Sequence, residues 1–257
     1  MKILAIDIET TPNLAYVWGL WDQNVGLSQL VESTEMLCFV AKWVGEPDSI
    51  LFRAGRYSPK HETWSPDQKH QEMVLRAWEL LDEADAVLHY NGKRFDVPHL
   101  NREFLLLGLG PPSPYRQIDL LETVKRQFKF PSNKLDYATK VLGFPGKVKV
   151  DFDLWTGCMS GDREAWSTME AYNCRDVTEM EKLYEKLKPW IVGHPNAGID
   201  NGVPVCPTCG SAHVQRRGFA YTPTAKFQQF HCQDCGRWSR STRRVPGAAA
   251  ALQPVVV

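Results

Sequence analysis

No apolar run in this 257-residue chain approaches the length of a membrane-crossing helix. The N-terminus, MKILAIDIET, turns acidic before the apolar core of a signal peptide could form. Both absences lead to the expectation of a soluble, cytoplasmic protein. Net charge is also lacking, because 30 Lys and Arg balance 30 Asp and Glu. The zero hides a split. Residues 201–257 have almost no acid: Asp234 stands alone against Lys226, Arg216, Arg217, Arg237, Arg240, Arg243 and Arg244, a basic surplus of six. The first 200 residues carry the matching acidic surplus. An acidic body suits cations, and a basic end suits phosphates. Cysteine is sparse as well. Cys38, Cys158 and Cys174 are scattered and read as free thiols, while the other four fall into two Cys-x-x-Cys pairs. Internal repeats are absent. What remains, 43% apolar and 23% charged, is an ordinary globular balance with room for one large domain and a small one.

The first 60 residues read as strands: KILAIDIE, AYVWGLW, EMLCFVAKWV and SILFRAG, in the manner of an antiparallel meander. A helix follows, with Ser65 as its N-cap and Val74, Trp78 and Leu81 at helical spacing. ADAVLHYNG is a short strand that ends in a turn. DVPHLNREFLLLGLG, QIDLLETVKRQF and NKLDYATKVLG read as helices, and SGDREAWSTMEAYNCRDVTEMEKLYEKLKPW as a long helical region with room for one break. Strands, then a helix–strand–helix crossover, then helices indicate an α/β domain. The expected organisation is a domain over 1–192, a linker over 193–204 rich in proline and glycine, a cysteine module over 205–245, and a mobile tail over 246–257 without helical or strand context.

Three acidic signals stand out. In AIDIETTPN, Asp7 and Glu9 alternate along a strand and so share a face. Two neighbouring carboxylates repel, so something positive should sit between them, either a basic side chain or a metal ion. In HYNGKRFDVPHL, Asp96 follows a strand and a glycine turn at the start of a helix. In YNCRD, Tyr172 and Asp176 lie four apart on a helix and share a face. Each has an ordinary explanation: an edge strand, an N-cap, a helix pair. Together, four carboxylate groups supply the hard oxygen donors that Mg²⁺ or Mn²⁺ prefers.

DIET, NGKRFD and YNCRD, in that order, resemble the DEDD (DnaQ-like) 3′–5′ exonuclease superfamily. Tyr172 stands where another subclass has histidine, so the resemblance is to the tyrosine subclass. HYNGKRFDVPHL is similar to the second motif of proofreading domains in B-family DNA polymerases, and the set resembles stand-alone RNase H-like exonucleases, including phage-encoded ones. The resemblance covers roughly residues 1–190. It implies a ribonuclease H-like mixed sheet flanked by helices, and a two-metal hydrolysis of phosphodiesters that releases nucleoside 5′-monophosphates. Two Mg²⁺ or Mn²⁺ ions would be held by Asp7, Glu9, Asp96 and Asp176, with Asp7 bridging them. Tyr172 would position the attacking water. Phe95 would pack near the terminal nucleotide, Asn91 would shape the turn presenting Phe95 and Asp96, and Thr10 would join the substrate contacts. The implied substrate is DNA, with single strands or 3′ ends favoured, in replication or repair, and in the host cytoplasm if the chain is phage-encoded. An RNA-directed or structure-selective nuclease, or a non-catalytic nucleic-acid-binding protein, are the alternatives.

Cys206, Cys209, Cys232 and Cys235, in CPTCG and CQDCG, predict a four-thiolate zinc ribbon holding one Zn²⁺, each pair followed by the glycine that a knuckle turn needs. VQRRGFAYTPTAKFQQFH between them alternates like a hairpin. So small a module builds no core of its own, and the metal should supply folding energy. His213 and His231 read as bystanders. Interleaved arginines and rings (Phe219, Tyr221, Phe227, Phe230, Trp238) suit single-stranded nucleic acid, though a ribbon docking a replication or repair protein would look much the same.

Overall fold

A computed structural model of the chain describes residues 1–145, 150–199 and 202–252. It divides into two compact units, Met1–Leu183 and Tyr184–Val257. Among the described residues no helix is long and apolar enough to cross a membrane.

The first unit opens with β1 (Ile3–Thr10), a two-residue strand β2 (Leu14–Ala15) and its partner β3 (Leu30–Glu32), then β4 (Met36–Trp43) and β5 (Leu51–Ala54). Helix α1 (Pro66–Glu83) follows. Ser65 caps it, its hydroxyl accepting from the Gln68 amide while the Gln68 side chain accepts from the Ser65 amide. Strand β6 (Ala86–His89), helix α2 (Asp96–Leu106), strand β7 (Arg116–Asp119) and helices α3 (Leu120–Gln127), α4 (Leu135–Val141), α5 (Phe152–Met159) and α6 (Arg163–Leu187) complete it, the last turn of α6 belonging to the second unit. The main sheet has the order β5-β4-β1-β6-β7. Its first three strands pair antiparallel, and β1, β6 and β7 run parallel. This is the expected mixed five-stranded sheet flanked by helices.

Register sorts the side chains of β1 between two layers. Leu4, Ile6 and Ile8 face α1 and α2, packing with Phe39, Ala41, Val74, Leu81 and Leu100. Asp7 and Glu9 face the other way, opposite Val40 and Cys38 of β4. Over that second face lies α6, whose Trp166, Met169 and Tyr172 pack with Leu37 and Cys38. Lys42, on the same face as Cys38 and Val40, is buried and ion-paired with Glu181 of α6. The helix is therefore fastened across the very face that carries the acids.

Several expectations need correction. AYVWGLW is not a sheet strand: only Leu14–Ala15 pairs, and the segment beyond runs into water, with Trp18 99% and Trp21 84% exposed. Its apolar residues imitate a strand, but among the described residues no element covers them. QID forms β7 before its helix begins, because Asp119 ends the strand and caps α3 by accepting from the Leu121 amide. The long helix α6 runs unbroken, and α5 was not anticipated.

In the second unit, β8 (Val214–Tyr221), β9 (Ala225–Cys232) and β10 (Trp238–Ala249) form a sheet of order β10-β9-β8. The hairpin is as expected. The tail is not, since β10 carries strand structure past Arg244 as far as Ala249, and the Ala250 amide donates to the Thr224 carbonyl. Pro246 is tolerated because β10 is an edge strand, and Gly247 takes the left-handed φ of +73° where the register shifts. Residues 253–257 of the proposed tail lie outside the described residues. Nor is 193–204 featureless. The His194 ring stacks on Tyr184, with Nε2 2.7 Å from its hydroxyl, and the Ala197 amide donates to the Pro207 carbonyl.

Candidate active site and metal centre

Three elements meet at β1. Asp7 and Glu9 project half-buried from its second face. A register shift between Glu9 and Thr10 ends the regular pairing there, placing Thr10 at the bulge. From α2, the buried Asp96 carboxylate accepts a 3.1 Å hydrogen bond from the Ile8 amide, the peptide between the two acids. From α6, Asn173 Nδ2 donates to Asp7 Oδ2 at 3.1 Å. Tyr172 and Asp176, both buried, flank Asn173 on that helix. The Tyr172 ring meets Trp155 of α5 edge-on, with centroids 6.3 Å apart. Asp176 lines a small cleft with Arg175, Glu179 and residues of α4.

The turn that delivers Asp96 is built with little tolerance. Asn91 sits in the left-handed region at φ +69°. A Cβ on Gly92 would come within 2.4 Å of the His89 ring, so the position needs glycine. Asp119 accepts from the Asn91 amide at 2.9 Å and from the Lys93 amide at 3.4 Å. The Val97 amide donates to the Gly92 carbonyl, closing the turn onto α2. Phe95, at the N-cap of that helix, is not core packing: it is 39% exposed and lies against the His99 ring.

The local field is negative. Burial raises the Asp96 carboxyl to about 6, against the hydrogen bond from Ile8 and the nearby His89 imidazole, which pull it down. Cys38, fully buried opposite Glu9, has its thiol pushed well up, first by burial and then by the charges of Glu9 and Asp7. Asn173, 0% exposed, leaves its Oδ1 without a partner among the described residues. These oxygen donors, in a negative field with a buried polar atom left over, are of the kind that suits hard divalent cations, although among the described residues no three of the carboxylates bring an oxygen each within 4.8 Å of one another.

Asn173 and Asp119 were not anticipated. The first is an unremarkable helix residue in sequence, and the second falls inside QIDLLETVKRQF, which reads as helix throughout. The signal for Asp119 was its place at the end of a strand neighbouring HYNG.

In the second unit, Cys206, Cys209, Cys232 and Cys235 bring their sulfurs within 4.8 Å of one another. Cys206 pairs with Cys235 and Cys209 with Cys232 at 3.6 Å, far beyond a disulfide bond and close to the ~3.8 Å edge of a tetrahedron with Zn–S bonds of about 2.3 Å. Burial works against the Cys232 thiolate, but backbone N–H groups of Cys235 and Asp234 outweigh it and hold the thiol at about 7. The set fits zinc. His213 and His231 are engaged elsewhere, with Asp234 and Trp238 respectively.

A family profile, the RNase H superfamily, matches residues 49–188, which include Asp96, Tyr172 and Asp176 and begin after β1. No curated protein matches the chain. Among solved structures it is similar to the family B DNA polymerase from the hyperthermophilic archaeon Pyrobaculum calidifontis, at 17% identity and a TM-score of 0.53. That match covers 73% of this chain and 24% of the polymerase, so the chain spans about a quarter of that protein's length.

Proposed function

The chain belongs to the RNase H superfamily, and on that premise we propose that it is a metal-dependent 3′–5′ exonuclease releasing nucleoside 5′-monophosphates. Superfamily and fold point to a nuclease. The direction of digestion rests on the motif resemblance, as does the preference for single-stranded DNA.

One observation carries the reading. The hydrogen bonds Ile8–Asp96 and Asn173–Asp7 tie the start of α2 to the peptide between the two acids of β1 and the middle of α6 to the Asp7 carboxylate. Asp7, Glu9, Asp96 and Asp176 would hold two Mg²⁺ or Mn²⁺ ions, which would supply activation of water and charge for the departing 3′ oxygen. The residues of the chain do the placing. Asn173 fixes the rotamer of Asp7. The Tyr172 hydroxyl, its ring steadied by Trp155, orients the attacking water in line with the phosphorus–oxygen bond to be broken. Phe95 offers an exposed ring to the terminal base, while Asn91 and Thr10 border the strand. The four cysteines would hold one Zn²⁺.

The test is digestion of end-labelled single- and double-stranded DNA and RNA with Mg²⁺ or Mn²⁺. Mononucleotides leaving from the 3′ end support the proposal, whereas internal cuts or retention without cleavage overturn it. Asp7→Ala should abolish cleavage. It should leave thermal stability equal or higher in metal-free buffer, because one of several crowded charges is gone.

A further inference from the structure

One face of the small sheet is a bare alternation of rings and cations. Trp238 lies opposite His231, Arg240 opposite Gln229, and Arg244 opposite Phe227. On β9, His231, Gln229 and Phe227 alternate along one side, each about 6.8 Å beyond the last; on β10, Trp238 and Arg240 keep the same spacing, and Arg244 follows after a shift of register. Contacts confirm the shared side: Trp238 and His231 rings are 4.6 Å apart, and the Arg240 guanidinium sits 4.0 Å from the Phe227 ring centre. Trp238, Arg240 and Arg244 are exposed. Among the described residues neither arginine has an ion-pair partner, and none of the three strands carries a carboxylate to provide one.

The opposite face is closed over at one end. There Val214, Phe230 and Ser239 line a cavity together with Val203, Pro204 and Val205 of the preceding segment, and Arg240 on the edge strand borders it as well. At the other end Lys226 is drawn over the Phe219 ring at 3.8 Å.

We propose that the Trp238–Arg240–Arg244 face of β9 and β10 is a binding track for single-stranded nucleic acid. Bases stack on Trp238 and phosphates meet Arg240 and Arg244. The charge argues for this occupant: an arginine-bearing face without carboxylates complements a polyanion, and exposed rings between the cations offer stacking to unpaired bases. A duplex hides its base faces and would leave Trp238 unused. The choice of nucleic acid rests on the nuclease reading, but the binding test does not depend on cleavage.

The experiment measures binding of the full chain, zinc loaded, to a 5′-fluorescein oligothymidylate whose 3′ linkages are phosphorothioates, across a range of salt. Arg240→Gln with Arg244→Gln should flatten the salt dependence by about 1.4 in log–log slope, roughly 0.7 for each lost phosphate contact. Trp238→Ala should weaken binding about tenfold with the slope unchanged, and Trp238→Phe should recover most of the loss. Zinc content, measured alongside, should match wild type in all variants. Unchanged affinity and slope in these variants would overturn the proposal and assign the face to a protein partner. An equal or larger loss from Lys226→Gln with Tyr221→Ala would move the track to the opposite face. Hydrolysis of a trinucleotide reports the carboxylate site separately. Its absence in wild type would count against the nuclease reading and leave the binding result standing.

Discussion

Tyr172 carries a hydroxyl that holding a cation does not require, so its removal separates positioning from metal binding. Tyr172→Phe keeps the ring against Trp155 and should slow single-turnover hydrolysis about 10–100-fold while calorimetric Mn²⁺ affinity stays near wild type. An unchanged rate would reduce Tyr172 to a packing residue. Glu103 tests a different kind of buried charge. Burial would raise its carboxyl, but His70, the Arg102 guanidinium and the Met36 amide all bond to it and together hold it at about 2, down from an ordinary 4.5. The folded value is the lower one. The stability it confers is therefore complete above about pH 4.5 and drains away as pH falls toward 2. Glu103→Gln should lower unfolding free energy at pH 7 by roughly 2–3 kcal/mol, and the gap between variant and wild type should narrow steadily in acid denaturation series. A gap that stays constant from pH 7 to pH 3 would refute the assignment. Legibility at this scale followed covalent periodicity. Asp7 and Glu9 share a face because a strand repeats every two residues, and that is visible in the letters. Asn173 was invisible because its importance comes from an atom 166 positions away.

Helix α6 shows what an element can do that its residues cannot do singly. It reaches Asp7 through Asn173 and Lys42 through Glu181, two fastenings eight residues apart on one helix. The Lys42–Glu181 pair is largely out of water, and Glu181 also accepts from the Gly45 amide. Lys42→Ala would strand the partner carboxylate, with an expected loss of ~3 kcal/mol by chemical denaturation. The double change Lys42→Met with Glu181→Leu should recover most of it, since an apolar pair of similar volume removes the desolvation cost. Failure of the double variant to recover would mean the pair sets the helix in place by charge. Elements were legible where local signals agreed with burial. Ser65 as N-cap and the spacing of Val74, Trp78 and Leu81 announced α1, and the ribbon hairpin announced itself through alternation. They were misread where apolar content lacked a partner, as in AYVWGLW, and where one residue ended a strand and began a helix, as Asp119 does.

For the molecule as a whole, two units hold together by different means. The first buries a continuous apolar layer on each side of its sheet. The second has little core, and strands β8–β10 are mostly exposed or half-buried. Its order should depend on the metal ion that the four cysteines would hold, since such binding contributes on the order of 10 kcal/mol to folding in modules of this kind. A strong chelator should therefore abolish amide protection in β8–β10 and leave β1, β4 and β6 protected, with zinc restoring the lost signals. Persistent protection of β8–β10 after zinc removal would show a core that burial alone does not reveal. The segment after β2 has a consequence of another sort. Of nine tryptophans, Trp18 and Trp21 stand almost wholly in water, while Trp166 is buried with its indole N–H bonded to the Cys158 carbonyl. Optically, these three indoles are of two kinds. The pair on the arm emits at the red end and is open to collisional quenchers; the buried one is neither. Whatever settles on that arm will announce itself as a blue shift in unlabelled protein, a native lamp placed a few residues beyond the acids of β1.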